Sequence, residues 1–178
     1  MEKERFKRAV IAGLFSIIII GTLTFLSYET NYGLFLVASF GSSMVLVLGY
    51  PDSPFARGRN VFFGHLTTSI MGLICSIIFM EYFSFSAAIT IPIAVGLGVF
   101  FMILLNVTHP PAGGNPIIVL LGGYSLDFII SPIFFGCLII ILQAYVINKY
   151  ILKRNYKIWS IYLYLMHWLK DVIKYKTS

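Results

Sequence analysis

The segment NVTHPPAGGNP, residues 106–116, lies between two strongly apolar stretches of the chain. Its prolines remove backbone donors and hold the chain extended, while its glycines let a second segment or a ligand approach closely. Backbone that is not helical is tolerated at membrane depth only where protein buries it or a wet cavity bathes it. The segment therefore predicts a buried binding loop, provided that the stretches around it cross a membrane.

The composition indicates a protein that crosses a membrane several times. Of its 178 residues, 58% are hydrophobic and 11% are charged, whereas soluble domains carry about 25% charged residues. The net charge of +6 lies mostly at the two ends, which is typical of cytoplasmic ends that face anionic lipid. No basic patch lies on a polar domain, so nucleic acid is not an expected partner. We expect a protein integral to the cell (plasma) membrane, with both termini in the cytoplasm.

Two short apolar segments resemble each other in sequence and in context. GSSMVLVLG, residues 41–49, aligns without gaps on GNPIIVLLG, residues 114–122, and a longer apolar segment precedes and follows each of them. The chain is therefore predicted to be an all-α, polytopic helical membrane protein with a transmembrane domain over residues 1–148. Its two repeats, each a helix, a short interrupted helix and a helix, would cover about 9–83 and 86–148.

The charges in the loops favour one topology. If all six apolar segments cross the membrane, Arg57 and Arg59 fall on the inner side with both basic ends. Glu29, Glu81 and Asp127 then fall on the outer side. This distribution follows the positive-inside rule and would make the two repeats inverted relative to each other. The alternative is four spans with two re-entrant segments.

The region after Tyr150 has a different pattern. Polar residues recur there at spacings of three and four, with tryptophan and aliphatic residues around the rest of the turn. Such a pattern predicts a basic amphipathic helix over 149–178 that lies in the membrane interface. An extension of the last membrane helix, or a helix that docks on another subunit, is the alternative.

Short or interrupted segments at equivalent places in two halves are a pointer to a transporter's binding site. Asn115 and Pro116 form a suitable N-cap and first residue for a short helix over 116–123, and the positive end of that helix would attract a small anion. Gly113 and Gly114 would expose backbone amides. Pro116 aligns with Ser43 and Asn115 aligns with Ser42; these serines either add hydroxyl groups to the site or only allow close helix contact.

Four basic residues complete the set of candidates. His109 borders the break in the helix, where it would donate to an anion, carry a proton with it, or only clamp the loop. His65 lies one turn into the third apolar segment, and an ionisable group inside a membrane is a functional candidate. Arg57 and Arg59 are either topology determinants or residues that hold an anion at the inner mouth.

Three motifs together resemble those of the HPP family of membrane proteins. They are SFGSSMVLVLGYPDSPFARGRN at residues 39–60, the helix opening VFFGHL that follows it, and THPPAGGNP at residues 108–116. The family takes its name from the His-Pro-Pro sequence found here at 109–111, and the resemblance covers roughly residues 10–148. It implies an integral membrane protein with four spans and, by similarity to plastid and cyanobacterial members, transport of nitrite. The family pattern commonly continues with Ala or Thr where Gly114 and Asn115 stand here.

The expected function is that of a transporter or channel for a small monovalent inorganic anion, with nitrite as the leading candidate through the resemblance. A structural or sensory membrane protein without transport is the alternative. An enzyme is not expected, because the one conceivable nucleophile and base would be Ser42 or Ser43 with His65 or His109. The sequence predicts no cofactor and no metal site. Its partners would be the lipid bilayer and further copies of the chain in a homo-oligomer.

Overall fold

The helices follow one another in the order long, short, long, long, short, long. The computed structural model describes residues 2–29 and 35–158. Four helices are long and apolar enough to cross a membrane: α1 (Glu2–Tyr28), α3 (Gly58–Tyr82), α4 (Ala87–Leu104) and α6 (Ile129–Ile151). The short helices are α2 (Ala38–Gly49) and α5 (Asn115–Gly122). These described residues contain no strand, so the prediction of an all-α polytopic membrane protein is confirmed.

Several helices contain wider π turns or tighter 3-10 turns. α2 and α3 end in π turns, at Val45–Gly49 and Ser76–Tyr82. α6 begins with π turns at Ile129–Gly136, where Pro132 cannot donate a backbone hydrogen bond. Two separate 3-10 helices, Pro54–Ala56 and Pro110–Gly114, precede α3 and α5.

One end of the helix bundle, here called the basic face, gathers the start of α1, the end of α2, the start of α3 and the end of α6. The Arg8 guanidinium lies 5.5 Å from the ring centroid of Tyr50. Arg154 donates to the carbonyl of Leu48 at 2.9 Å. Arg59 donates to the carbonyl of Asn106 at 3.0 Å, which brings the end of α4 to the same face.

The first short segment runs from the opposite face to the basic face. At the start of this segment, the backbone N–H of Phe35 donates to the hydroxyl of Ser27, which lies in the last turn of α1. At its end, Tyr50 contacts Arg8, which lies near the beginning of α1. A helix of the length of α2 rises only about 18 Å. The extended residues that lead into Ala38 add the missing length, so residues 35–50 traverse the bundle beside α1.

The second short segment runs in the opposite direction. It leaves the basic face at Asn106, beside Arg59, and it reaches Gly72 of α3 at Pro116. Further along, Leu120 packs in one apolar cluster with Cys75 of α3. The two short segments thus run along the bundle in opposite directions, and the six-crossing topology stays a prediction.

The amphipathic helix predicted over 149–178 lies mainly outside the described residues; of its described part, residues 149–151 belong to α6 and residues 152–158 are not helical. α6 ends at Ile151, Lys153 has a left-handed backbone with φ 55°, and residues 153–157 form no helix. The physical reason is a competing set of hydrogen bonds. The carbonyl of Lys157 accepts from the N–H of Gly58 at 3.1 Å, and that of Ile158 accepts from the N–H of Arg59 at 2.8 Å. The tail thus satisfies amides that the start of α3 leaves open.

Candidate functional site

Six polar side chains meet inside the bundle and form what is called here the central polar cluster. Five of them are 0% exposed and Ser39 is 6% exposed. Two come from α2, two from α3, one from the loop before Pro110 and one from the start of α5. The cluster consists of Ser39, Ser43, His65, Ser69, His109 and Asn115.

Ser43 connects the two histidines of the cluster. Its Oγ lies 2.9 Å from Nε2 of His65 and 2.8 Å from Nε2 of His109. Nδ1 of His109 lies 2.8 Å from the carbonyl oxygen of Phe55. A carbonyl can only accept, so Nδ1 of neutral His109 carries the hydrogen and its Nε2 accepts from the Ser43 hydroxyl. His65 must then donate through Nε2 to the same Ser43 oxygen.

Asn115 continues this chain of hydrogen bonds on the other side of His65. Its Nδ2 lies 3.0 Å from Nδ1 of His65 and donates to Oγ of Ser69 at 2.9 Å. Its Oδ1 accepts from the Ser39 hydroxyl at 2.6 Å. The donors and acceptors therefore alternate in one direction from Ser39 to the Phe55 carbonyl. A buried network of this kind is stable because its members satisfy one another.

The two short helices bring their N-terminal ends to this cluster. Ser39 lies in the first turn of α2 and Asn115 is the first residue of α5, and the two side chains are hydrogen-bonded. α2 then runs towards the basic face and α5 runs away from it. Since each helix carries a partial positive charge at its N-terminus, two positive ends converge on one buried, polar point.

The segment at 106–116 differs from its prediction in two ways. His109 is extended, with φ −136° and ψ 96°, but the following prolines start the 3-10 helix Pro110–Gly114. Their fixed φ suits that helix, and the N–H groups that they lack would have no partner at its beginning. Asn115 is also not the N-cap of α5. The helix begins at Asn115 with Gly114 as its cap, and the Asn115 N–H donates to the carbonyl of Ala112.

The predicted site residues divide into three groups. His65, His109, Asn115 and Ser43 belong to the central polar cluster. Gly113 and Gly114 are half-buried beside it, and a Cβ atom added to either would meet no atom within 4 Å. The other three residues, Ser42, Arg57 and Arg59, lie outside the cluster.

The residues outside the cluster have other surroundings. Ser42 is exposed, because one position along a helix turns a side chain by about 100° from its buried neighbour Ser43. The guanidinium of Arg59 donates to the carbonyls of Asn106 and Leu105, where its charge suits the negative end of α4. Arg57 lines a small cavity of about 80 Å³ with Asp52 on the basic face.

Two members of the cluster, Ser39 and Ser69, were not predicted. Ser39 stands near Gly41 and Ser42, and Ser69 follows two threonines; such runs by themselves indicate only small residues at helix contacts. Their spacing carries the missing signal. Ser39 lies four positions before Ser43 and Ser69 lies four positions after His65, so each pair shares one face of its helix.

A wider cavity opens on the basic face, next to the loop that connects α2 with α3. Its volume is about 810 Å³, and its walls include Lys7, Arg8 and Arg154 together with Glu4 and Asp52. The same loop touches both regions, because residues 50–53 line the cavity and Phe55 accepts from His109. The loop at 50–57 therefore lies between the basic cavity and the central polar cluster.

The chemistry that this arrangement offers is hydrogen bonding and proton exchange through serine and histidine. Ser43 lies within hydrogen-bonding distance of both histidines, and a serine nucleophile needs such a contact with a base. Its side chain is 0% exposed, however, so no opening leads from the surface to the hydroxyl in this structure. Across residues 2–29 and 35–158, no three His, Cys, Asp or Glu side chains are grouped so that they could hold a metal ion.

The fold and the buried cluster define a class, that of polytopic helical membrane proteins with interrupted helices at their centre. The model of the HPP transmembrane region matches residues 1–157, so the chain belongs to the HPP transmembrane family. Two transmembrane proteins of Dictyostelium discoideum are similar to it. One is 32% identical over 128 residues, which are 70% of this chain and 45% of that protein. The other is 30% identical over 129 residues, which are 70% of this chain and 41% of that protein.

The chain spans less than half the length of these two relatives. No solved structure matches it. The comparisons thus establish the family and its membrane location.

Proposed function

We propose that this protein transports a small monovalent anion across the membrane, with nitrite as the first candidate because of its resemblance to nitrite-linked HPP proteins. The observation that carries the proposal is the meeting of two short helices, N-terminus to N-terminus, at a buried polar cluster. Discontinuous helices whose positive ends point at an anionic group are a recurring device of secondary transporters. The Ser39 and Asn115 contact marks the point where those two ends meet.

The charges around the cluster support an anion over a cation. Among the described residues, every buried polar side chain is a Ser, Thr, Asn or His, and the carboxylates lie at or beyond the helix ends. A cation pathway would instead use carboxylates at membrane depth. Lys7, Arg8 and Arg154 line the cavity on the basic face, where they would raise the local concentration of an anion.

In this proposal the loop at 50–57 separates the basic cavity from the cluster. His109 holds that loop through the carbonyl of Phe55, so an ion that enters from the basic face has to displace this contact or pass beside it. The open space next to Gly113 and Gly114 is where backbone amides would reach the ion.

The basic face would be cytoplasmic, in agreement with the positive-inside rule, and the membrane would be the plasma membrane.

A homo-oligomer is part of the proposal. Large apolar side chains of α1 are exposed, which leaves them to pack against lipid or a second copy. In the predicted inverted repeat, a two-fold rotation would relate the first short helix to the second.

The test is uptake into liposomes that contain the purified chain, with each anion measured by ion chromatography of the recovered liposomes. Nitrite, nitrate, formate and chloride are compared, with and without a pH gradient. We expect saturable nitrite uptake well above that of empty liposomes. Uptake of none of the four anions would contradict the proposal, and an equal response to all four would reduce it to an unselective anion channel.

The neighbouring serines provide a matched pair for this assay. Ser43→Ala removes a hydroxyl that contacts both histidines, whereas Ser42→Ala removes an exposed one. Transport through the cluster predicts slower uptake for Ser43→Ala and unchanged uptake for Ser42→Ala, with both proteins folded and inserted to the same extent.

One observation favours a second candidate, a structural or sensory membrane protein. The polar groups of the cluster bind one another, as in a network whose role is to fix helix positions. That function predicts no uptake of any anion by the wild-type chain, although Ser43→Ala would still destabilise it.

A further inference from the structure

A groove between α1 and α2 opens on the side of the bundle. Its volume is about 330 Å³. The residues of α1 that line it recur at spacings of three, one, three, one and three, which places them on one face of the helix. The lining residues are Arg5, Arg8, Ala9, Ala12, Gly13, Ser16, Gly41, Met44, Val45, Gly49 and Tyr50.

The length of the groove matches one leaflet of a bilayer. From Arg5 to Ser16 the axis of α1 rises about 16 Å, and half of a hydrocarbon core is about 15 Å. The charged end lies at the basic face, and the groove runs from there along α1 towards Ser16.

The inner part of the groove is apolar and free of the chain's own atoms. A Cβ atom added at Gly13, Gly41 or Gly49 would meet no other atom within 4 Å. The hydroxyl of Ser16 donates to the carbonyl of Ala12 in its own helix, so it presents no unsatisfied donor to an apolar occupant.

The outer end of the groove is positively charged. Arg5 and Arg8 lie there, and none of the residues lining the groove is acidic. The guanidinium of Arg8 is positioned by the ring of Tyr50 at 5.5 Å from its centroid. Arg8 also lines the cavity on the basic face, whose walls carry three basic and two acidic side chains.

We propose that this groove binds an anionic phospholipid, with one acyl chain between α1 and α2 and the phosphate at Arg5 and Arg8. A long apolar groove that ends at two arginines fits a molecule that is apolar at one end and anionic at the other. Basic pockets between transmembrane helices bind anionic headgroups in this way. A free anion would leave the apolar part unused.

The experiment is native mass spectrometry of the full-length chain in a neutral detergent. Phosphatidylglycerol and phosphatidylcholine with the same acyl chains are titrated separately. We expect one tightly bound phosphatidylglycerol per chain and weaker binding of phosphatidylcholine. Each arginine near the headgroup contributes a factor of roughly five in affinity, so Arg5→Gln and Arg8→Gln should each reduce the preference for phosphatidylglycerol by about that factor.

The apolar part is tested by filling it. Gly13→Leu adds a side chain at the groove whose Cβ atom meets no atom of the protein within 4 Å, and it should abolish tight binding of either lipid. Gly21→Leu is the matched control, because Gly21 is also an exposed α1 glycine with open space around it but does not line the groove.

Three results would overturn the proposal. The first is equal lipid binding by Gly13→Leu and Gly21→Leu. The second is that Gly13→Leu becomes monomeric but still binds lipid, because the groove would then hold a second copy of the chain. The third is displacement of the bound mass by soluble glycerol phosphate, which carries the same headgroup phosphate but no acyl chain. If Gly13→Leu fails to fold, unchanged lipid preference in Arg8→Gln decides against the proposal by itself.

Discussion

The two helix contacts made by the short segments are built in opposite ways. Against α3, the second short segment is so close that a Cβ atom at Gly64 would lie 2.7 Å from Cβ of His109, and one at Gly72 would lie 3.0 Å from Cα of Pro116. Against α1, the first short segment leaves open space at Gly13 and Gly41. We refer to these contacts as the close contact and the open contact.

The difference shows that glycine has two separate roles in this fold. At the close contact its missing side chain lets two backbones approach, which holds the central polar cluster together. At the open contact the same missing side chain leaves a groove. The same residue type in an apolar helix thus indicates either tight packing or a vacant surface, and only the neighbouring helix decides between them.

The largest effect is expected where the close contact is broken. Gly64→Val forces its Cβ into His109 and the carbonyl oxygen of Val107, which would lie 3.0 Å away. Overpacking of this kind costs about 3 kcal/mol when the neighbours are backbone or branch-point atoms. Thermal unfolding of the purified protein in detergent measures the loss. Gly41→Val at the open contact is the control, and equal stability of the two variants would show that the contacts do not differ.

The second prediction concerns the histidine that borders the close contact. His109→Asn keeps an amide that can donate to the Phe55 carbonyl, as Nδ1 does now, but it has no counterpart of Nε2. The Ser43 hydroxyl then loses its buried acceptor, which costs about 1–3 kcal/mol, so transport through the cluster should fall roughly 5- to 150-fold while the protein stays folded.

His109→Gln has the opposite effect on the two hydrogen bonds. Its longer amide can reach Ser43, but it leaves the Phe55 carbonyl without its donor. It should retain more transport than His109→Asn and unfold at a lower temperature. Normal uptake by His109→Asn would reduce His109 to a clamp on the loop at 50–57.

A smaller effect is expected inside α2, between two adjacent residues. Ser43→Ala leaves Nε2 of His65 without its acceptor in a buried position, at a cost of about 1–3 kcal/mol. Ser42→Ala at the exposed neighbouring position should change stability by less than about 0.5 kcal/mol. Denaturation of both variants under the same conditions gives the difference. Similar values for the two would mean that the cluster does not stabilise the close contact.

The smallest effect on stability is expected at Gly114. An added Cβ atom meets nothing within 4 Å. The free energy of unfolding of Gly114→Val should therefore differ from that of the wild type by less than about 0.5 kcal/mol. Transport should still slow, because the side chain fills the space where the ion is proposed to approach. If Gly114→Val transports at the wild-type rate, the pathway does not pass this residue.

The long helices could be predicted from the sequence because hydrophobic length is a local property. The apolar runs at 61–83 and 128–148 correspond closely to α3 (Gly58–Tyr82) and α6 (Ile129–Ile151). The short helix after Asn115 was predicted one residue late, since the preceding prolines form a 3-10 helix that continues into it. The similarity of the two halves remains a prediction, which superposition of residues 9–83 on 86–148 after a two-fold rotation would check.

The site was harder to predict because it depends on contacts between distant segments. His65 and His109 were identified as ionisable groups at membrane depth, but their common partner Ser43 could equally have been a packing residue. Ser39 bonds Asn115 across 76 positions of the chain, a distance that no local pattern encodes. The described first part of the predicted C-terminal helix differs for the same reason, since the carbonyls of Lys157 and Ile158 bond to the start of α3.

Those last two hydrogen bonds have a consequence for biosynthesis. Gly58 and Arg59 leave the ribosome long before the carbonyls of Lys157 and Ile158 that accept from them. Chains generally begin to fold from the N-terminus while they are being made, so α3 enters the membrane with its first amides still bound to water or headgroups. α3, which carries His65 and Ser69, thus receives these two hydrogen bonds at its first turn only when translation has passed residue 158. A premature stop shortly after α6 would therefore release a chain that contains all six helices but leaves the first turn of α3 without these partners.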